Sequence, residues 1–453
     1  MTRVLIACND RVGKSMAGPA IRCWEMARTL VAAGHDVHLA APFESDREPA
    51  GFEVVVSSEV SLDREERWAE VLVVQGFVMS NFPVLSRTQK HLVVDLYDPF
   101  VLENLEMYSH LPMEARRREH WPALATTSVQ LKLGDFFICA NERQRDFWMG
   151  CLVVEDRVNP LTHAQDGLLR RLIDVVPFGT PDQPPAHSGI PAARGVLPGV
   201  GEQDRIAIWA GGIYNWFDPL SLIRAWPEVL RQVPEARLVF MGLKHPNPMV
   251  PEMSMARQAL ELAGELGIRD RGVTFNLGWV PYERRQDFLL ESDVGVSTHF
   301  NHLETRLSFR TRFLDYIWAG LPSVATEGDA FAEWIAQRGT GRVVPYENSA
   351  AIAAALAELL GEGTARAEAA AAVRGAQANF TWARALEPLV RYCDNPWKAG
   401  DLDRKPNLAG GSQPPSGIAR RALWFLNKEG PAPFLRRAAG KVRKLIRARR
   451  AQG

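Results

Sequence analysis

The sequence predicts an α/β protein built as two doubly wound Rossmann-like domains facing a central cleft. Three observations predict it. Short apolar runs recur between longer amphipathic stretches, the pattern of parallel strands with helical crossovers. The series of runs stops at a segment rich in Pro and Gly and then begins again. The chain has 453 residues, too many for one ordinary core and enough for two.

In chain order the first series reads RVLIAC, HDVHLAAP, VLVVQG, HLVVDLYD, DFFICAN and DVVPFG. This assigns residues 1–183 to a first domain. The stretch TPDQPPAHSGIPAARGVLPGVGEQD follows, and its Pro and Gly content places a linker at 184–204. The second series, RIAIWAGG, ARLVFMG, VTFNLGW, DVGVSTH, LPSVAT and GRVVP, defines a second domain over 205–380. WARALEPLVRYCDNP then reads as a helix over 381–396 that returns toward the first domain. KAGDLDRKPNLAGGSQPPSG reads as a flexible spacer over 397–416, leading to a basic amphipathic tail at 417–453.

Apolar residues make up 46% and charged residues 23%, the balance of a globular protein. The formal net charge of zero conceals an asymmetry, because residues 417–453 hold eleven Lys and Arg against one Glu, and the rest of the chain is correspondingly acidic. The five cysteines are scattered and form no CxxC, which argues against a disulfide framework or a zinc site and for a reducing compartment. No stretch reaches the ~18 apolar residues of a spanning helix, and the opening apolar run is too short for a signal sequence. A cytoplasmic location is expected.

Four places carry candidate chemistry. Gly18-Pro19 opens a helix whose bare amides can meet an anion or a hydroxyl, and Arg22, one turn in, is expected to project toward the same mouth. Asp98 follows the strand ending at Asp95; it either orients and deprotonates a hydroxyl or caps the turn before Pro99. In the second half, Gly211-Gly212 follows a strand and allows close backbone approach to a phosphate. Asp218 before Pro219 reads as a helix cap, and Lys244 ends a strand as a mobile charge or an exposed loop lysine.

The window HFNHLETRLSFRTRFLDYIWAGLPSVATEGD, His299 to Asp329, is the most informative. A helix from about Ser308 to Trp318 would bury Phe309, Phe313, Tyr316 and Ile317 along one stripe. Arg306 and Arg310 would then lie near its N-terminus, where the helix dipole disfavours cations unless an anion is bound. The alternative is internal pairing with Glu304 and Asp315.

These blocks together resemble the GT-B glycosyltransferases of the family 4, or group 1, type. The resemblance is carried by the first strand, glycine loop and helix ending in Ala33-Gly34-His35-Asp36-Val37, and by Val176-Pro177-Phe178-Gly179. It continues through Leu238-Val239-Phe240-Met241-Gly242, Asn276-Leu277-Gly278-Trp279-Val280 and Ala319-Gly320-Leu321-Pro322-Ser323-Val324. It spans roughly residues 1–395. The family's paired glutamates correspond here to Leu307 and Asp315, with Glu304 three residues before the first. The family's Arg after the first glycine of the second domain corresponds to Gly212, and its nearby Lys-Gly is replaced by Trp216-Phe217-Asp218.

The resemblance implies transfer of a sugar from a nucleotide diphosphate donor, held by the second domain, to a glycan or lipid-linked acceptor, held by the first. Retention of anomeric configuration is implied, with no metal and no cofactor beyond the donor itself. Asp98 and Glu304 take the catalytic roles. Gly211, Gly212, Lys244, Gly278, Arg306, Arg310 and Asp315 bind the donor, and Gly18 and Arg22 serve the acceptor side or a phosphate. A catalytically silent GT-B subunit and a sugar-nucleotide epimerase remain rival readings. The tail's Lys and Arg, interleaved with Trp424, Phe425 and Phe434, fit an anionic membrane surface, which makes the protein peripheral at the cytoplasmic face. A nucleic-acid-binding tail and an inert solubilising tail are the alternatives, and no nucleic acid is expected.

Overall fold

The computed structural model describes residues 1–48 and 50–402. The tail at 417–453 and most of the spacer lie outside the described residues.

The first sheet comprises β1 (Arg3–Ala7), β2 (Asp36–Ala41), β3 (Glu53–Val56), β4 (Val71–Gln75), β5 (His91–Asp95), β6 (Phe136–Cys139) and β7 (Ile173–Val175). Its strands pair in parallel in the order β3-β2-β1-β4-β5-β6-β7. The second comprises β8 (Arg205–Trp209), β9 (Ala236–Phe240), β10 (Val273–Phe275), β11 (Val294–Ser297), β12 (Ser323–Thr326) and β13 (Gly341–Val344), in the order β10-β9-β8-β11-β12-β13. Each order reverses beside its first strand, at β1/β4 and β8/β11, and ligands of such sheets bind outside the strand ends at that point. Continuous apolar strands such as VLVVQ in β4, buried at every position, are what a sheet covered on both faces requires.

The helix expected from Ser308 begins only at Arg312, after a non-helical segment and a separate short helix. Leu303–Leu307 is that short one, and the second runs Arg312–Ala319 and ends on Gly320 at φ 73°, the left-handed conformation that glycine adopts without strain. Phe313, Tyr316 and Ile317 are buried as the periodicity requires. Phe309 lies in the connecting segment instead.

The linker is laid down on the second domain, with the amides of Ala192, Ala193 and Arg194 donating to Glu291 at 2.8, 2.7 and 2.8 Å. Helices Trp382–Ala385 and Glu387–Asp394 pack back on the first domain: Trp382 sits against Phe178, Tyr392 stacks on Phe136, and Thr2 Oγ1 donates to the Cys393 carbonyl at 2.7 Å. The start of the expected flexible spacer is anchored too. Trp397 Nε1 donates to Arg171 O at 2.8 Å, and Lys398 pairs with Asp135 at 3.0 Å.

Candidate active site

A cavity of about 320 Å³ lies between the C-terminal edges of the two sheets. From the first domain it is lined by the loop after β1, the start of helix Gly18–Ala32, and Tyr97, Asp98 and Glu103 beyond β5. From the second it is lined by Ala210 to Gly212, Tyr214 and Trp216 after β8, by His245 and Asn247, and by Arg310, Arg312 and Asp315.

Two of the expected donor residues meet here on good terms. Gly211 has φ 92° and open space where a Cβ would stand, so its backbone faces the cavity bare. A Cβ on Gly212 would come within 3.2 Å of the Trp279 ring. Asp315 also lines the cavity, with Oδ1 held 3.2 Å from Arg285 Nε. Burial pushes the Asp315 carboxyl up, against the pull of Arg285.

Other expectations are corrected. Arg22 does not project toward the mouth. It is fully buried, donates Nε and Nη2 to Asp95 at 2.7 and 3.0 Å, and reaches the carbonyls of Val176 and Pro177. It ties helix Gly18–Ala32 to the ends of β5 and β7, and only its stacking on Tyr97, at 4.8 Å, touches the site. Arg306 and Lys244 are exposed and do not line the cavity; Arg306 ends the short helix with its charge in solvent. Gly278 is exposed as well and serves through its carbonyl, which accepts from Leu243 N at 3.2 Å.

Glu304 is sealed off. It is 1% exposed and does not line the cavity, so it is not placed for the catalytic role, and both its oxygens accept from Arg310, at 2.8 and 2.6 Å, so Arg310 reaches the cavity already paired. The internal pairing weighed for this window is therefore what Arg310 does.

The cation left over is Arg312, the first residue of helix Arg312–Ala319. Its guanidinium is sandwiched 4.3 Å from the Trp209 ring and 4.2 Å from that of Phe217. Nη2 donates to the Gly212 carbonyl at 3.0 Å, and the buried Nη1 has no partner. Burial lowers its pKa to about 10, because the nearby Tyr316 and Asp315 compensate the charge incompletely. An unpaired cation at a helix N-terminus, against a bare glycine backbone, is a site prepared for an anion. The helix boundary hid it. With the helix begun at Ser308, Arg312 falls mid-turn, whereas the Gly320 stop counted back along the buried stripe points to it.

Across the cavity, Asp98 lines the wall and its side chain makes no capping bond to helix Phe100–Met107. Asp98 and Glu103 share a hydrogen bond. Burial pushes both carboxyls up, and the Asp98 charge pushes Glu103 up further. Glu103, five residues on from Asp98, was not singled out in the sequence, although the spacing carries it back to the loop. Gly18 lines the cavity beside the Tyr97 hydroxyl. Two buried hydrogen bonds bridge the domains nearby, Asn247 Nδ2 to Asp10 Oδ1 at 2.7 Å and Tyr282 Oη to Glu25 Oε1 at 2.9 Å.

Comparison with known proteins places this geometry. Residues 204–362 match the family model described as Glycosyl transferases group 1. The D-inositol 3-phosphate glycosyltransferase of Nocardia farcinica is 28% identical over 264 residues, 57% of this chain, and the chain spans about half of that relative's length, 55%. Among solved structures, sucrose-phosphate synthase from Thermosynechococcus elongatus superposes with a TM-score of 0.61 at 16% identity, covering 87% of this chain and 99% of that one. An Anabaena protein solved in complex with UDP and glucose gives 0.56 at 12% identity, covering 87% and 100%. The architecture is GT-B.

Proposed function

Because the chain has the GT-B fold and matches the group 1 glycosyltransferases over residues 204–362, we propose that it transfers a sugar from a nucleotide diphosphate donor to a hydroxyl acceptor. The observation that carries this reading is Arg312, a buried and unpaired cation beside Gly211-Gly212 in the interdomain cavity. A departing diphosphate needs preorganised positive partners, and Nη1 with the bare backbone supplies them. Asp315, on the same helix, holds the donor ribose.

On the other wall an acceptor hydroxyl sits against Asp98. Its oxygen bonds to the anomeric carbon as the bond from that carbon to the phosphate oxygen breaks. The carboxyl pair takes the hydroxyl proton, and Arg312 takes the charge of the leaving diphosphate. Retention of configuration belongs to this reading on the strength of the group 1 likeness, and it requires the hydroxyl to enter on the face of the sugar that the phosphate leaves. The UDP and glucose of the Anabaena complex support the donor class. A glycan or lipid-linked acceptor, with peripheral attachment to anionic membrane through residues 417–453, completes it, supported by the composition of that segment.

Thermal-shift screening of the full chain against a panel of nucleotide diphosphate sugars tests the donor, since a ligand that binds only the folded state raises its Tm. A shift is expected with at least one member, and none with any would refute the reading. A binding subunit without turnover is the second reading, favoured by the sealed Glu304–Arg310 pair. A thermal shift with no donor hydrolysis would establish it.

A further inference from the structure

Most carboxylates withdrawn from solvent among the described residues have an evident partner or cap: Asp95 pairs with Arg22 at 2.7 Å, Asp287 with Arg284 at 2.9 Å, and Asp218 and Asp329 cap helices. The exceptions face the cavity from the first domain. Asp10 accepts from two amides, Asn247 Nδ2 and Arg11 N, and Asp98 and Glu103 bond to each other. Among the described residues no Lys or Arg of the first domain lines the cavity. Arg11 and Lys14, on the loop after β1, lie off it, Arg22 is committed to Asp95, and Arg310, which faces Glu103 from the second domain, pairs with Glu304 through Nη1 and Nη2, leaving its buried Nε without a partner.

We infer that the acceptor is a neutral sugar or polyol, without phosphate on the part that enters the cavity. The inference rests on the transferase reading above and names its second substrate. Hydroxyls on adjacent ring carbons donate to carboxylates, and Asp10, Asp98 and Glu103 offer acceptors with no competing cation. Tyr97 and Phe178, with ring centroids 6.1 Å apart on the same wall, suit the apolar faces of a sugar ring. A phosphate dianion on this wall would meet the carboxylates of Asp10, Asp98 and Glu103 with no Lys or Arg of the first domain, among the described residues, to offset them. At an effective dielectric near 20, that repulsion weakens binding by about tenfold or more. A phosphorylated polyol of the kind that names the Nocardia farcinica relative is therefore the disfavoured acceptor on this wall.

The test uses the full chain, a sugar nucleotide that shifts its Tm, and paired acceptors: glucose and glucose 6-phosphate, mannose and mannose 6-phosphate, inositol and inositol 3-phosphate. Transfer, read by product mass, is expected to at least one neutral member, at a rate about tenfold or more above its phosphorylated partner. Asp10→Asn, and separately Glu103→Gln, should narrow that ratio while nucleotide diphosphate affinity stays within about twofold. Faster transfer to a phosphorylated member would overturn the inference. So would donor hydrolysis with no transfer to any neutral member, because neutral hydroxyls are held to suffice. Absence of nucleotide binding would instead refute the transferase reading beneath it.

Discussion

Arg312→Met removes the charge while keeping a flexible chain between Trp209 and Phe217. Two effects of opposite sign follow. The pKa lowered from 12.5 to about 10 means that the folded chain carries the charge at a cost of roughly 3 kcal/mol at neutral pH, present at any pH below about 10. The methionine relieves that cost and gives up the two ring contacts and the bond to Gly212 O, together about 2 kcal/mol. The unliganded variant should therefore be more stable by about 1 kcal/mol, a rise in Tm of ~2–4 °C. Nucleotide diphosphate affinity should move the other way. One charge-assisted bond from Nη1 to phosphate is worth ~1.5–3 kcal/mol, so binding should weaken roughly 10- to 150-fold, with a smaller loss for the monophosphate. Scanning calorimetry and titration calorimetry on the same preparations read both. A variant that is less stable and binds the diphosphate as tightly as wild type would show that Arg312 is a structural residue.

Other expectations follow from the same geometry. Arg306→Ala and Lys244→Ala should change nucleotide affinity less than about twofold, whereas Arg310→Ala, which strands buried Glu304, should destabilise by ~3–5 kcal/mol; urea unfolding and titration separate the cases. Asp98→Asn should lower turnover with little change in nucleotide affinity. Turnover should fall as pH drops through the raised pKa of the Asp98–Glu103 pair, and Glu103→Gln should move that acid limb to lower pH in a pH–rate profile. Asp329 holds its proton to about pH 6 in the folded chain against 3.8 for an ordinary aspartate, so stability falls as pH rises between them. Asp329→Asn keeps the cap to Ala332 N and should raise stability by roughly 3 kcal/mol at pH 7.5, an advantage that thermal melts should show vanishing below about pH 4.

Much of the fold was legible because buried parallel strands announce themselves: every apolar run read from the sequence is a strand. β3 was missed because EVVV is short and partly exposed, flanked by polar residues that dilute its signal. The cavity wall was legible in Gly18, Gly211 and Gly212, in Asp98 and in the arginine-rich window, whose residue types are unusual beside their neighbours. Which arginine lines the cavity without a carboxylate partner was not legible, because that depends on partner geometry. Arg22 and Arg310 meet carboxylates seventy-three and six residues away, and Arg312 meets none. Arg306 and Lys244 had the right charge at the right distance along the chain and the wrong side of the backbone.

On the proposed function, this cavity cleaves a sugar nucleotide at the bond to diphosphate. The most direct measurement is release of nucleoside diphosphate from a panel of sugar nucleotides by the full chain, with and without the neutral acceptors, alongside Arg312→Met. The account predicts release from at least one donor, acceleration by an acceptor, and a loss of at least tenfold in kcat/KM for the variant. No release from any donor by the wild-type chain, or equal rates for wild type and Arg312→Met, would contradict it.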